Sequence, residues 1–468
     1  MRSLILAMVS LLIALLAGFL ITQFSPTMLL IGVLAFVIFA VSFINIEWGL
    51  YILIFSMLLS PEIIAGDTGP ESLGRGVTLR AEDFLLAVIG LSWLARNAVD
   101  KELGLFLKTP LNKAILFYVL TCVLSTGFGI MAGRVEMKTG FLYVLKYIEY
   151  FLVFFMMVNH VRNKDQIKRF LICLFFTCFI ASLVGAFQIP GGERVSAPFE
   201  GEIGEPNTFG GYLLFMGCVA AGLLAKADNL KTKQVMTVLI ICIIPPFLFT
   251  QSRTSYLAIV PALIVLGYMT DRRQIIIGLL AIALLVSPLF LPKAVKNRIM
   301  FTFTQPKEQG QVQIGDVRLD TSTSARIQSW KEALRDYPQH PLLGYGVTGY
   351  PFIDAQFPRV LVETGILGLT AFLYLLYAIL KLALKNLKEV KTPYSQGLLI
   401  GFLSGFLGLI VHAFGANTFI IVRIMEPFWF FVGIITVLPA LERQQAEPSQ
   451  PAKVTGRVVT DHSISTAR

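Results

Sequence analysis

The sequence predicts an all-α polytopic integral membrane protein, with about 12–14 transmembrane helices and one large loop on the outer side that contains an amphipathic helix. Three observations carry this. The 468 residues are 55% hydrophobic and 15% charged, against about 25% charge in a soluble domain. Apolar runs of about 18 residues or more recur from end to end, each long enough to cross a bilayer. Lysines and arginines gather in alternate loops, as the positive-inside rule expects.

Taken in order, spans are expected to begin near Ser3, Thr27, Glu47, Arg80, Leu111, Phe141, Lys168, Thr208, Val235, Ser252, Ile275, Val360, Gly397 and Thr418. The first run, SLILAMVSLLIALLAGFLIT, follows Arg2 and resembles a signal peptide. No small-x-small cleavage site precedes a soluble domain and more spans follow at once, so it reads as the first span. With the N-terminus inside, the inner loops hold Arg96, Lys101 and Lys108; Arg162, Lys164, Lys168 and Arg169; Lys226, Lys231 and Lys233; Arg272 and Arg273; and Lys381, Lys385, Lys388 and Lys391. The outer loops hold scattered ones such as Arg75, Arg134, Lys138 and Arg194. The net charge of +10 therefore reflects topology, and no nucleic-acid partner is expected.

This divides the chain into an N-terminal membrane bundle (1–291), a large outer loop (292–358), C-terminal membrane helices (359–440) and a disordered inner tail (441–468). A second outer loop is IPGGERVSAPFEGEIGEPN, from Ile189 to Asn207. No internal repeat is visible, so the inverted-repeat sign of many transporters is missing. The five cysteines (Cys122, Cys173, Cys178, Cys218 and Cys242) sit inside apolar runs without metal-ligand spacing. They read as small side chains facing lipid or core.

Within the large loop, STSARIQSWKEALRDYP reads as a helix that Thr323 or Ser324 can cap and Pro338 stops. Ile327, Trp330 and Leu334 share one face, with Arg326, Lys331, Glu332 and Arg335 mostly elsewhere. That is an amphipathic helix lying on the membrane or capping the bundle. Next comes QHPLLGYGVTGY. A phosphate cradle needs its glycines before a helix N-terminus, usually after a strand. Gly344, Gly346 and Gly349 follow a helix instead, which favours a tight connection. His340, before a proline, is held extended or in a turn, and is more often a structural hydrogen-bonding group than a base.

Three segments together resemble the bacterial O-antigen ligase and O-antigen (exopolysaccharide) polymerase family. They are QSRTSYLAIV; SARIQSWKEALRDYPQHPLLGYGVTGY, with an Arg-x-x-x-Trp helix and a following His-Pro-Leu-Leu-Gly-x-Gly; and DAQFPRVLVETGILGL, leading into Glu-x-Gly-x-x-Gly. RVSAPFEGEIGEPNTFGGYL is a weaker match. The resemblance implies a glycosyltransferase at the periplasmic face of the bacterial inner membrane, active in surface polysaccharide biosynthesis. The donor would be an undecaprenyl-diphosphate-linked glycan and the acceptor a second lipid-linked glycan or lipid A–core. Chain-length regulators or other polysaccharide-assembly proteins would be its partners, with no cofactor and no metal.

The chemistry suits such residues. A lipid diphosphate leaving group must be neutralised where water is partly excluded, and charges at membrane depth are functional suspects by default. The resemblance assigns this to Arg253 and Arg326, with Arg194 as a further diphosphate contact. An end-of-span anchor and a solvated helix face are the plain readings of Arg253 and Arg326. The acceptor hydroxyl needs a base. Where family ligases place a histidine, this chain has Asp354 and Ala355, which favours a polymerase over a ligase. Asp354 reads either as that base, or an acceptor-orienting group, or as the N-cap of the span near Phe357. Glu363, His340, Gly344 and Gly346 are expected to support the site, Glu363 by pairing with Arg359. Two further pairs, Lys146 with Glu149 and Arg423 with Glu426, are expected to neutralise each other at i,i+3 spacing. The absence of an Asp-x-Asp motif and of a His/Cys cluster agrees with a metal-independent donor. The alternative class is a transporter or flippase of lipid-linked glycans, whose charges should line a central cavity rather than concentrate in one loop.

Overall fold

The computed structural model describes residues 25–64, 78–99, 108–200, 204–270, 274, 278, 292–306, 311–314 and 317–446. The spans expected from Ser3 and Ile275, and the tail beyond Ala446, lie outside them. The fold is an all-α polytopic membrane bundle. Its helices are α1 Pro26–Ile44, α2 Ile46–Leu59, α3 Ala81–Val99, α4 Asn112–Met131, α5 Met137–His160, α6 Lys164–Gln188, α7 Pro206–Lys226, α8 Leu230–Phe249, α9 Arg253–Met269, α10 Lys293–Thr304, α11 Thr321–Asp336, α12 Gln356–Glu389, α13 Pro393–His412 and α14 Val422–Ala446. Among the described residues, nine helices are long and apolar enough to cross a membrane. Two short antiparallel hairpins interrupt the helices: β1 (Glu62–Ile64) with β2 (Thr78–Arg80), and β3 (Gln313–Ile314) with β4 (Val317–Arg318).

Every expected span that falls on described residues has its helix, because lipid leaves a spanning backbone no other way to satisfy its polar groups. The starts move where a polar cap precedes the apolar run. Helix α8 begins at Leu230, ahead of Val235, because the Asn229 side chain accepts from Thr232 N at 2.6 Å. Asn163 and Gln166 form a capping box that starts α6 at Lys164, which satisfies two orphan amides reciprocally. At the other end of the chain α14 continues through Glu442 to Ala446, so the boundary expected at 441 falls inside a helix. Glu442 holds it there, accepting from Lys391 N at 2.8 Å and standing 3.5 Å from Lys164 Nζ.

Small residues let the central helices approach closely, as is usual in membrane bundles. A side chain at Gly222 of α7 would strike the backbone of Gly397 and Gly401 on α13, and one at Gly401 would strike Cys218 and Val219. Helix α13 in turn meets α9, where Ser404 Oγ donates to Ala262 O at 2.6 Å. Aromatic rings fill the core: Trp429 of α14 packs edge-on against Phe151 and Phe154 of α5, and Phe428 meets Phe215, Phe402 and Phe419. The cysteines are free thiols in helices, with Cys122, Cys178 and Cys218 buried.

The two intramembrane pairs expected within single helices do not form. Lys146 reaches across to α3, with Nζ at 3.1 and 3.0 Å from the two oxygens of Asp83. Arg423 donates to Pro198 O at 2.8 Å and Ser60 O at 3.1 Å, with Glu200 3.6 Å away. Both long side chains meet groups on other elements, a reach that i,i+3 spacing does not foresee.

Candidate functional site

Four arginines from four parts of the chain converge at one end of the bundle. Arg253 opens α9, where Ser252 caps the helix through Ser255 N at 3.3 Å. Its Nη2 donates to Asp320 Oδ2 at 2.6 Å. Arg194, in the loop between α6 and α7, is laid along the same corner: Nε donates to Thr250 O at 3.0 Å and Nη2 to Gln251 O at 3.5 Å. Arg326 projects from α11 and donates through Nη2 to Asp354 Oδ2 at 2.8 Å. The fourth is Arg298 of α10. Burial, followed by the charges of Arg298, Arg253 and Arg326, pushes the Arg194 guanidinium down to about 10. Burial and the charges of Arg253 and Arg326 also lower Arg298, with Asp320 opposing. Burial would raise the Asp320 carboxyl, but the hydrogen bonds from Arg253 and Thr323 outweigh it and hold it below its ordinary value.

Two carboxylates therefore face four guanidiniums. The Nε atoms of Arg298 and Arg326 are buried with no hydrogen-bond partner among the described residues. Unsatisfied buried donors are unfavourable, and here they belong to groups whose natural counterpart is a carboxylate or phosphate oxygen. The cluster can accept an anion with several oxygens.

Asp354 is fixed by its neighbours rather than by a helix start. Asn417 Nδ2 donates to Ile353 O at 2.8 Å, Gln356 N to Ala413 O at 3.0 Å, and Phe419 N to Gln356 Oε1 at 3.0 Å. The N-cap of α12 is Ala355, with no side-chain cap, so the capping reading of Asp354 does not hold. Its carboxylate is 39% exposed. The cap of α11 is likewise not Thr323 or Ser324. Asp320 caps it, accepting from Thr323 N at 3.3 Å. Helix α11 packs inward through Ala333 and Trp330 onto Ile353, Ala355 and Val362, while Leu334 turns outward.

The glycines of QHPLLGYGVTGY have a different task. Helix α12 is broken at Gly365, with φ 67° and ψ −170°, a region open essentially to glycine alone. The break frees backbone groups that the Gly-rich segment satisfies. Tyr345 N donates to Val362 O and Gly346 N to Glu363 O, both at 2.8 Å, while Ile366 N donates to Pro341 O at 2.9 Å and Leu367 N to Leu342 O at 3.3 Å. Ser125 of α4 closes the joint, donating to Leu343 O at 2.5 Å and Glu363 O at 2.7 Å. Side chains at Gly344 or Gly365 would run into the facing backbone. Glu363 is part of the same joint: its Oε1 accepts from Arg359 Nε at 3.1 Å and Thr348 N at 3.2 Å.

His340 contacts Arg134, with Nη1 2.6 Å from Nε2, and stacks edge-on to Tyr345. These contacts set it apart from the arginine cluster. Arg253, Arg194, Arg326 and Asp354 thus share one region, whereas His340, Glu363, Gly344 and Gly346 build the joint that holds it. Arg298 and Asp320 were not singled out from sequence. The preference for aspartate over threonine at helix caps points to Asp320, while nothing in KAVKNR marks Arg298 above its lysines.

No curated protein matches the chain. Residues 235–373 match the family described as O-antigen ligase, a stretch that contains Arg253, Arg298, Asp320, Arg326, Asp354 and the Gly365 joint. That match is consistent with the O-antigen ligase and polymerase family.

Proposed function

We propose that the protein transfers a glycan from a lipid diphosphate donor, undecaprenyl diphosphate, to an acceptor hydroxyl at the periplasmic face of the inner membrane, as a polymerase in preference to a ligase. The observation that carries this is the gathering of Arg194, Arg253, Arg298 and Arg326 with two buried, unpartnered Nε donors. Such a set stabilises the negative charge that builds on a departing diphosphate. The acceptor oxygen forms its bond to the anomeric carbon as the carbon–phosphate oxygen bond breaks, and Asp354 receives the hydroxyl proton. In the resting protein the hydrogen bond from Arg326 orients the carboxylate. The diphosphate and Asp354 then compete for the same guanidinium, so donor binding loosens Asp354 toward the acceptor. The aspartate, at the place where family ligases carry histidine, supports the polymerase side.

The test is complementation of a deletion strain with Arg253→Ala, Arg298→Ala or Asp354→Asn, each checked for normal membrane expression. All three are expected to lose surface glycan. Restoration by all three would overturn the site. Single repeat units on the acceptor in the deletion strain identify a lost polymerase, whereas full-length lipid-linked chains left unattached identify a lost ligase.

A further inference from the structure

His412, the last residue of α13, is fully buried between α9 and the loop 413–421. Its Nε2 lies 3.2 Å from Ser255 Oγ on α9, and its Nδ1 lies 2.8 Å from Thr418 Oγ1. Ser255 donates its hydroxyl hydrogen to Ser252 Oγ at 2.9 Å, and Ser252 is the cap that starts α9 at Arg253. A hydroxyl has one hydrogen to give, so at Ser255 the ring donates through Nε2. Helix α7 leaves room for this contact. A side chain at Gly210 would strike Ser255 Oγ, and one at Gly211 would meet the His412 ring.

The same loop makes the contacts that place Asp354: Ala413 O, the Asn417 side chain and Phe419 N hold Gln356 and Ile353. It is folded onto His412 itself, since Gly415 N donates to His412 O at 3.2 Å. Arg253 and Asp354 are therefore joined by two routes. One is charged and partly exposed: Arg253 bonds Asp320, the cap of α11, and Arg326 of α11 bonds Asp354. The other is buried, and runs from Ser252 through Ser255 and His412 to the loop 413–419. In the function proposed above, a diphosphate entering the arginine cluster competes for the guanidiniums of the first route. The second contains no guanidinium and stays closed.

We propose that His412 is a positioning residue, which keeps Arg253 in register with Asp354 while the charged route is given over to the donor. This rests on the glycosyl transfer proposed above. Being buried, His412 meets neither donor nor acceptor. It acts through the Ser252 cap on one side and the loop 413–419 on the other. Transfer needs the departing diphosphate and the attacking hydroxyl held in line, and a displacement of about 1 Å costs about a hundredfold in rate. Donor affinity depends instead on the guanidiniums, whose number the histidine does not change. His412 lies beyond the matched residues 235–373.

The test compares His412→Asn with His412→Gln in the purified full chain. Undecaprenyl diphosphate is the binding probe, and lipid-linked glycan extracted from the deletion strain is the donor. A glutamine amide nitrogen can take the place of Nε2 and donate to Ser255, whereas asparagine is too short. The asparagine variant is expected to bind undecaprenyl diphosphate within about twofold of the wild type and to lose kcat by about tenfold to a hundredfold. The glutamine variant should regain most of that kcat. Wild-type kcat in the asparagine variant at a lowered thermal midpoint would leave His412 a structural role only and overturn the proposal. A loss of binding that matches the loss of kcat, or equal kcat in the two variants, would overturn it as well. If the asparagine variant fails to fold, Ser255→Ala breaks the same route: reduced kcat at unchanged binding supports the proposal, and full kcat refutes it. A wild type that transfers nothing counts against the function above, and hydrogen exchange over 413–419 then decides the buried route. Protection lost in the asparagine variant and kept in the glutamine variant supports it, and equal exchange in both variants and the wild type overturns it.

Discussion

Gly365→Ala is the sharpest test of the joint that supports the site. At φ 67° and ψ −170° the alanine is strained by about 1–3 kcal/mol, and its methyl overlaps the Leu342 carbonyl. The alternative is for α12 to close into a regular helix and surrender the four backbone hydrogen bonds to Pro341, Leu342, Tyr345 and Gly346, at about 1 kcal/mol each. Either route comes to about 3–4 kcal/mol. With an unfolding entropy of roughly 1 kcal/mol per degree for a chain of this length, the thermal midpoint should drop by about 3–4 °C or more. Gly127→Ala on α4, where an added carbon meets nothing within 4 Å, is the control and should leave the midpoint level or slightly higher. A Gly365→Ala protein that melts with the wild type would refute the interlocked reading of these glycines.

Arg359→Ala leaves the Glu363 carboxylate buried beside the joint and should destabilise by about 3–5 kcal/mol; replacing both residues by apolar ones of similar size should recover much of this, and a single variant as stable as the wild type would contradict the pairing. At His340, burial and then the Arg134 charge hold the imidazole below its ordinary value, because Nε2 must accept from an arginine that is always protonated. A depressed value means that its contribution is present above the unfolded value of about 6.5 and is lost as pH falls through the folded one. Hydrogen exchange over 337–346 should therefore quicken on acidification in the wild type and not in His340→Gln; equal exchange at all pH values would exclude His340 as the cause.

The helices were legible because their causes are local. An apolar run in lipid has one way to satisfy its backbone, and a cap such as Asn163 acts within a single turn. The residue types of the site were legible too, since an arginine at the edge of a span stands out from its surroundings. Partners were not. Arg253 pairs with Asp320 across 67 positions and Arg326 with Asp354 across 28, and Arg298 joins them from a helix that reads as an ordinary basic segment.

Local spacing misled where long side chains had a choice. Lys146 and Arg423 each had a glutamate one turn away and took partners on other elements. The glycines of QHPLLGYGVTGY were recognisable as a tight connection, but the break at Gly365 that they fill becomes visible only when the two segments meet. Thus the sequence by itself determined the helices and the chemical kinds of group available, because those follow from interactions within a few residues. The tertiary structure alone decided which charges are paired, which buried donors are left without a partner, and what the glycines are for, because those depend on contacts between residues far apart in the chain.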